Sequence, residues 1–179
     1  IVLGAVHGNE VAGTRAIEQM LAQLDSGAVR ILRGCLTLVP ITNPLARELN
    51  TRSGDRNLNR NLRPTALAQD FEDRIGNVLC PLLAAHDGLL DLHSFNSQGE
   101  AFALIGPENN TGPLEPFSLA DQEAKIARHL GPVRIVEGWM RAYELGVKNR
   151  RERSRQAGLT LDTDASYGVG TTEYMRSQG

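Results

Sequence analysis

The sequence predicts an α/β fold, with a mixed and mostly parallel sheet and helices on both of its faces. Short apolar runs, each long enough for a buried strand, alternate with longer segments whose apolar residues recur at helical spacing. An order of strand, helix and strand favours parallel strands joined by crossover helices. The chain has 179 residues, of which 41% are hydrophobic and 22% charged, and this suffices for one domain with a core.

The first elements are visible directly in the residue pattern. Residues 1–6 are apolar and predict a strand, and residues 11–24 predict a helix because their apolar side chains share one face. Residues 36–41 predict a second strand, with Pro40 at its end or at a sheet edge. Residues 42–64 are dense in Asn and Arg and lack periodicity, and so long a connection in a compact domain is usually functional or disordered.

The elements after residue 64 are predicted from similar residue patterns. Pro81 predicts a kink or a break in the next helix, and Ser118 is expected to cap the helix after it. Residues 160–170, rich in Asp, Thr and Gly, are expected to form a loop. The later strands are predicted at 88–94, 101–106 and 133–136, and the later helices at 66–85, 119–130 and 138–158.

The most informative stretch is residues 4–10, where the first strand gives way to the first helix. His7 and Glu10 stand three residues apart there, and imidazole nitrogen and carboxylate oxygen are both good zinc ligands. Two other interpretations stay open for this stretch alone. The pair could cap the helix, with Glu10 favoured by the helix N-terminus, or Gly4 and Gly8 could build a phosphate-binding turn.

A second histidine, His93, also ends an apolar run, at residues 88–94. In open α/β sheets, ligand sites form outside the carboxyl ends of the strands, so His7 and His93 can be aimed at one metal ion. Taken alone, His93 would be interpreted as a hydrogen-bonded structural histidine. Asp91 lies two residues earlier and shares a strand face with it.

The connection at 42–64 also carries an unusual density of positive charge. Five arginines fall within 17 residues, namely Arg47, Arg52, Arg56, Arg60 and Arg63. They repel one another unless an anion lies among them. The alternative is a solvated basic loop in which Asp55 and Glu48 act as partial partners.

Four motifs in order resemble the succinylglutamate desuccinylase and aspartoacylase family, a branch of the zinc carboxypeptidase-like hydrolases. They are the HGNE stretch at 7–10, Asn43-Pro44, the run at 55–60 and the LDLHS stretch at 90–94. The resemblance covers roughly residues 1–94 and implies a zinc-exopeptidase-like fold. It also implies one zinc ion per chain, held by His7, Glu10 and His93.

The resemblance further assigns roles around that ion. It implies that Asn59 and Arg60 bind a carboxylate of the substrate and that Arg52 faces the scissile carbonyl as a catalytic residue. Asp91 would orient a metal-bound imidazole. Arginine suits the carboxylate because its planar guanidinium donates two parallel hydrogen bonds.

The general base of the family is a glutamate within a Thr-x-Glu-x-Gly pattern. Here Glu173 follows Thr171 at the right spacing, but Met175 stands where the pattern has glycine. The base is therefore either Glu173 or a residue beyond Gly179. Arg176 is a further candidate for a substrate contact.

These features predict a zinc-dependent hydrolase that cleaves the amide bond of an N-acyl amino acid or a similar small carboxylate-bearing amide. A zinc carboxypeptidase acting on peptide C-termini, or a metal-free domain that binds an anion or a partner, are the alternatives. A net charge of -2 and 4% aromatic residues disfavour nucleic acid, and no apolar run approaches the ~20 residues of a membrane span. We expect one cytoplasmic catalytic domain over residues 1–179, truncated at both ends, and a homodimer is left open.

Overall fold

The computed structural model describes residues 1–95, 97–111, 117–132, 134–138, 145, 149, 152–153, 155–158 and 169–178. The chain forms two compact units. The first consists of Ile1–Asn96 with Gly168–Gln178, and the second consists of Ser97–Tyr167. All of the motifs singled out above lie in the first unit. The prediction of one catalytic domain over residues 1–179 stays a prediction.

The first unit is built on a three-stranded parallel sheet. Its central strand β1 (Val2–Leu3) pairs with β2 (Leu38–Val39) on one side and with β3 (Leu90–Asp91) on the other. The predicted α/β class with parallel strands is therefore confirmed, although each strand is shorter than its apolar run. Because the three strands run in the same direction, the residues that follow β1 and β3 leave the sheet at the same edge.

The second unit contains a two-stranded parallel sheet, in which β4 (Phe102–Leu104) pairs with β5 (Arg134–Val136). The helices whose bounds lie within the described residues are α1 (Val11–Asp25), α2 (Pro44–Glu48), α3 (Phe71–Ala84), α4 (Ala120–His129) and α5 (Thr171–Arg176). None of the helices in the described part of the chain is both long and apolar enough to cross a membrane.

The core of the first unit draws on segments that are far apart in the sequence. Leu3 of β1 and Leu83 of α3 are buried in it together with Leu58 and Leu62 of the long connection. Burying one such leucine contributes about 1.5–3 kcal/mol. The Asn- and Arg-rich connection is therefore anchored at two points by apolar side chains.

A kink or a break was predicted at Pro81, and the break does not occur, since α3 continues through Pro81 to Ala84. Proline removes only one intrahelical hydrogen bond, and the turns beside it stay packed through Leu79 and Leu83, which are buried. Ser118 does not cap α4, since the helix begins at Ala120 and its N-cap residue makes no side-chain hydrogen bond.

The connection at 42–64 also contains a short helix that was not predicted. Asn43 is the N-cap of α2, and its side-chain oxygen accepts a hydrogen bond from the Ala46 N–H at 3.1 Å. Pro44 occupies the first turn, where its missing N–H has no cost. The predicted loop at 160–170 and most of the predicted helix at 138–158 lie outside the described residues.

Candidate metal centre

A strained turn carries the chain from β1 to His7. Ala5 has a φ of 48°, in the left-handed region that side chains with a Cβ adopt only at a cost of ~1–3 kcal/mol. Two backbone hydrogen bonds hold this turn, from Asn43 N–H to the Ala5 carbonyl at 3.0 Å and from Thr42 N–H to the Gly4 carbonyl at 2.9 Å. The turn leaves His7 buried at the carboxyl end of the central strand.

Gly8 fastens the same stretch against α2. A Cβ at this position would lie 1.9 Å from the carbonyl carbon of Ala46 and 2.3 Å from the backbone nitrogen of Arg47. Asn9 N–H donates to the Thr51 carbonyl at 3.0 Å, which ties the stretch to the long connection as well. Only glycine allows this close approach, so Gly8 sets where His7 and Glu10 can lie.

The three predicted metal ligands come together at the sheet edge. His7 Nδ1 lies 2.9 Å from Glu10 Oε1, and His93 Nδ1 lies 2.9 Å from Glu10 Oε2. The two Nδ1 atoms are 3.2 Å apart, and one ligand atom of each residue falls within 4.8 Å of the others. Ligands bound tetrahedrally to zinc at about 2.0–2.1 Å are separated by about 3.3 Å, so this donor set fits such an ion.

The far side of each imidazole ring is held by an oxygen acceptor. His7 Nε2 lies 3.2 Å from Asn57 Oδ1, and His93 Nε2 lies 3.0 Å from Asp91 Oδ2. Asn57 Oδ1 also accepts the Asn59 N–H at 2.9 Å, which sets the orientation of that amide. Each Nε2 thus faces an oxygen and each Nδ1 faces the carboxylate of Glu10, an arrangement that suits a cation once the Nδ1 proton of His93 is displaced.

The electrostatics of the cluster favour positive charge. Partial burial lowers the pKa of His93, but hydrogen bonds to Asp91 and Glu10 and their charges outweigh it and raise the pKa to about 10. Burial raises the pKa of Glu10, but hydrogen bonds from His7, His93 and the Ser94 N–H outweigh it and hold this pKa well below its usual range. A carboxylate at this point therefore stays ionised and attracts a cation.

Arg52 lies at the rim of the three-ligand cluster. Its Nη1 donates to Glu10 Oε1 at 2.8 Å, while 58% of its side chain is exposed. The guanidinium is thus beside the ligands and open to solvent, where an incoming substrate can reach it. Its predicted catalytic role stays a prediction.

The two predicted substrate-binding residues differ in what their side chains contact. Asn59 Oδ1 accepts the Thr171 N–H at 2.8 Å, so this oxygen is engaged within the protein. The Arg60 guanidinium donates to the backbone carbonyl of Asn59, and no carboxylate of the described residues pairs with it. Arg60 therefore carries a positive charge that a substrate carboxylate can neutralise, and its predicted role is untested.

Arg56, from the same basic run, has a structural role. Its Nε lies 2.7 Å from Asp70 Oδ2, and its Nη2 lies 2.8 Å from Asp73 Oδ1. The guanidinium also donates to the Arg60 carbonyl at 2.6 Å. The connection is thus clamped to the N-terminus of α3, and Arg56 is neutralised by the protein itself.

Sequence reasoning missed three residues that organise the centre, namely Asn57, Glu72 and Thr171. Glu72 is fully buried and accepts hydrogen bonds from Asn43 Nδ2 at 2.9 Å and from the Gly54 and Arg56 N–H groups at 3.1 Å each. The acidic run at the start of α3 was the only available signal. Asn57 was noticed as part of a motif but was given no role.

Glu173 lies in α5 and not in a strand. Its Oε2 accepts the Gly170 N–H at 2.9 Å, so the carboxylate caps the first turn of that helix. Arg176 lies in the last turn of the same helix. The roles predicted for these two residues, as general base and as substrate contact, stay predictions.

Two comparisons with known proteins returned a match. A family model described as the succinylglutamate desuccinylase/aspartoacylase catalytic domain matches residues 1–113. An X-ray structure of a succinylglutamate desuccinylase from Vibrio parahaemolyticus is similar at 22% identity and a TM-score of 0.49, over 60% of this chain and 35% of that chain. This chain thus spans about a third of the length of that solved structure, and no curated protein matches it.

The match to the family model covers more than half of the chain and includes His7, Glu10 and His93. The same residues are those that the fold gathers at one edge of the parallel sheet. The chain therefore belongs to the succinylglutamate desuccinylase/aspartoacylase family.

Proposed function

We propose that this chain carries the zinc site of a hydrolase that cleaves the amide bond of an N-acyl amino acid or a similar small carboxylate-bearing amide. The observation that carries the proposal is the cluster of His7, Glu10 and His93, whose ligand atoms lie within 4.8 Å of one another. Membership of a family of desuccinylases and aspartoacylases supports the same class of reaction.

The protein sets the geometry of the three candidate ligands. In His7 and His93 the nitrogen that faces Glu10 is Nδ1, because the opposite nitrogen faces Asn57 or Asp91. The Nδ1 proton that the raised pKa of His93 retains would be displaced on zinc binding. A zinc ion held there would supply a water molecule with a pKa of about 7 and a Lewis acid for the carbonyl group. Glu10 keeps its negative charge, which balances part of the charge of such an ion.

The neighbouring arginines would handle the substrate. Arg52 lies 2.8 Å from Glu10 and is close enough to donate to a carbonyl oxygen presented beside the ligands, an interaction worth about 3 kcal/mol when well aimed. Arg60 would bind the substrate carboxylate with two parallel hydrogen bonds and so fix its register. The general base would be Glu173 or a residue beyond Gly179.

Metal analysis tests the site itself. We expect chelator-treated protein to rebind about one zinc ion per chain, because three ligands of catalytic type converge. His7→Ala and His93→Ala should each lose this binding, whereas His129→Ala, which alters an exposed histidine of α4, should keep it. Absence of zinc binding, or no loss in the two ligand variants, would leave the metal-free anion-binding alternative.

Substrate preference tests the reaction. We expect release of free amino acid from N-succinylglutamate or another N-acyl amino acid, measured as new primary amine. Arg60→Lys should lower kcat/KM by about 10- to 100-fold, mainly through KM, because lysine cannot make the two-bond contact. Cleavage of dipeptides without cleavage of N-acyl amino acids would instead identify a carboxypeptidase.

A further inference from the structure

Two series of hydrogen bonds start at the histidine ligands and meet at Asn59. The first runs from His7 Nε2 to Asn57 Oδ1 at 3.2 Å, and the same oxygen accepts the Asn59 N–H at 2.9 Å. The second runs from His93 Nε2 to Asp91 Oδ2 at 3.0 Å, and the Thr171 hydroxyl donates to that same carboxylate oxygen. Thr171 N–H then donates to Asn59 Oδ1 at 2.8 Å, which closes the ring.

Thr171 joins this closed series of hydrogen bonds from a segment that is distant in the sequence. It is the first residue of α5, it is fully buried, and 80 residues separate it from Asp91. The preceding residue, Gly170, allows this approach because it has no Cβ. A Cβ at that position would lie 2.2 Å from Asn59 Oδ1. The contact is therefore a close fit of two distant segments and depends on a glycine at 170.

The Thr171 hydroxyl is needed because of how Asp91 is buried. Only 4% of the Asp91 side chain is exposed, and its Oδ1 is buried without a hydrogen-bond partner in the described part of the chain. Oδ2 therefore receives both of the side-chain hydrogen bonds made to this carboxylate. Without the hydroxyl, a buried charge would keep a single donor and the carboxylate plane would be free to turn away from His93.

We propose that Thr171 is a positioning residue of the metal centre, which acts through Asp91 to hold the His93 ring with Nδ1 toward Glu10. The proposal rests on the zinc site proposed above. It makes metal affinity depend on the docking of α5, an element that contributes no ligand. Mutating a residue that hydrogen-bonds a metal-bound histidine typically weakens metal binding about 10- to 100-fold. Thr171 is one contact further away, so we expect its loss to weaken zinc binding about tenfold.

Zinc affinity of three variants, measured by competition with a chromophoric chelator, tests this role. Thr171→Val keeps the shape but removes the hydroxyl and should weaken zinc binding about tenfold. Thr171→Ser restores the hydroxyl and should stay within about twofold of the unchanged protein, as should the control Thr172→Val at the next residue. If Thr171→Val does not fold, Thr171→Ala is compared with Thr171→Ser in the same assay.

A double-mutant cycle separates positioning from a general loss of packing. In an Asp91→Ala background, loss of the Thr171 hydroxyl should have no further effect on zinc affinity, because the residue through which it acts is gone. The visible absorption spectrum of the cobalt(II) form provides a second readout, and the bands of Thr171→Val should differ from those of the unchanged protein.

The outcomes are distinguishable. If the unchanged protein binds no zinc, the zinc site and this inference both fail. If it binds zinc and a folded Thr171→Val variant shows the same affinity and the same cobalt spectrum, only the positioning role is overturned. Equal losses from the Thr171 substitution with and without Asp91 would also overturn it, because the two residues would then act independently.

Discussion

One buried carboxylate shows how much a single residue contributes to the site. Glu72 Oε1 accepts hydrogen bonds from Asn43 Nδ2 and the Gly54 N–H, and its Oε2 accepts the Arg56 N–H. In the sequence, these donors come before and after Arg52, the arginine beside the candidate ligands. A carboxylate in a fully buried position is tolerated because these hydrogen bonds are made.

Glu72→Gln should therefore destabilise the protein by about 2 kcal/mol, because glutamine has one acceptor oxygen and leaves at least one buried donor unpaired. The free energy of unfolding, measured with urea, checks this. Glu18→Gln on the exposed face of α1 is the matched control and should change it by less than about 0.5 kcal/mol. Equal effects in the two variants would contradict the role assigned to Glu72.

Gly8 provides a second test at the residue scale. Gly8→Ala places a methyl group 1.9 Å from the Ala46 carbonyl carbon, so either α2 or the histidine stretch must move. We expect a loss of about 3 kcal/mol or more in stability, together with loss of zinc binding. Gly88→Ala is the control, since a Cβ there meets nothing within 4 Å. Normal zinc binding by Gly8→Ala would show that the close approach is not needed.

At the scale of elements, the N-terminus of α3 holds the long connection in place. Asp70 caps the helix by accepting the Asp73 N–H at 2.7 Å, and both carboxylates bind the guanidinium of Arg56. The N–H of Gln69 and the guanidinium of Arg56 lower the pKa of Asp73 below its ordinary value of 3.8. The helix start and the loop are thus joined by charge-assisted hydrogen bonds.

This contact predicts a pH-dependent contribution to stability. A lowered folded-state pKa means that the unfolded state binds the proton more readily, so the contribution is complete above the unfolded pKa and is lost as the pH falls through the folded pKa. Asp73→Asn should cost about 1 kcal/mol at pH 7, and this difference should shrink at pH values below 3.8. Urea unfolding of both proteins from pH 7 to pH 2.5 measures it.

A difference between the two proteins that stays constant down to pH 2.5 would contradict this account of Asp73. Asp25→Asn, at an exposed position at the end of α1, serves as the control. It should show little change in the free energy of unfolding across the same range of pH.

At the scale of the whole molecule, the candidate metal centre joins segments that are distant in the sequence. His7 and His93 are 86 residues apart, and Thr171 is 112 residues from Asn59. Closing such long loops costs conformational entropy, which the core and the hydrogen-bonded ring must offset. An ion that binds only the folded arrangement would therefore stabilise the first unit.

Zinc should raise the free energy of unfolding by about 4 kcal/mol when its concentration is a thousand times its dissociation constant. Thermal unfolding with zinc and with chelator measures the difference. The His93→Ala variant should lose the zinc-dependent increase, whereas the His129→Ala variant should keep it. An identical unfolding temperature with and without zinc would contradict coupling between the ion and the fold.

Much of the site could be predicted from local pattern. The apolar runs that end at His7 and His93 are short, and parallel strands release their following residues at one sheet edge, so both histidines could be assigned to one place. α1 was predicted to within one residue of its end because its apolar periodicity is regular. Of the kink or break predicted at Pro81, the break does not occur, since packing on both sides of the proline outweighs one lost hydrogen bond.

By itself, the sequence determined the order of the strands and of the longer helices, the family and the identity of the three candidate ligands, because each of these has a periodic or motif signal. The short helices α2 and α5 were not predicted. Only the tertiary structure decided that Asn57 holds the imidazole of His7, that Arg56 is clamped and that Thr171 completes the hydrogen-bond network around the candidate centre. Such contacts depend on side-chain directions across 14–80 residues of chain, and no local pattern encodes those directions.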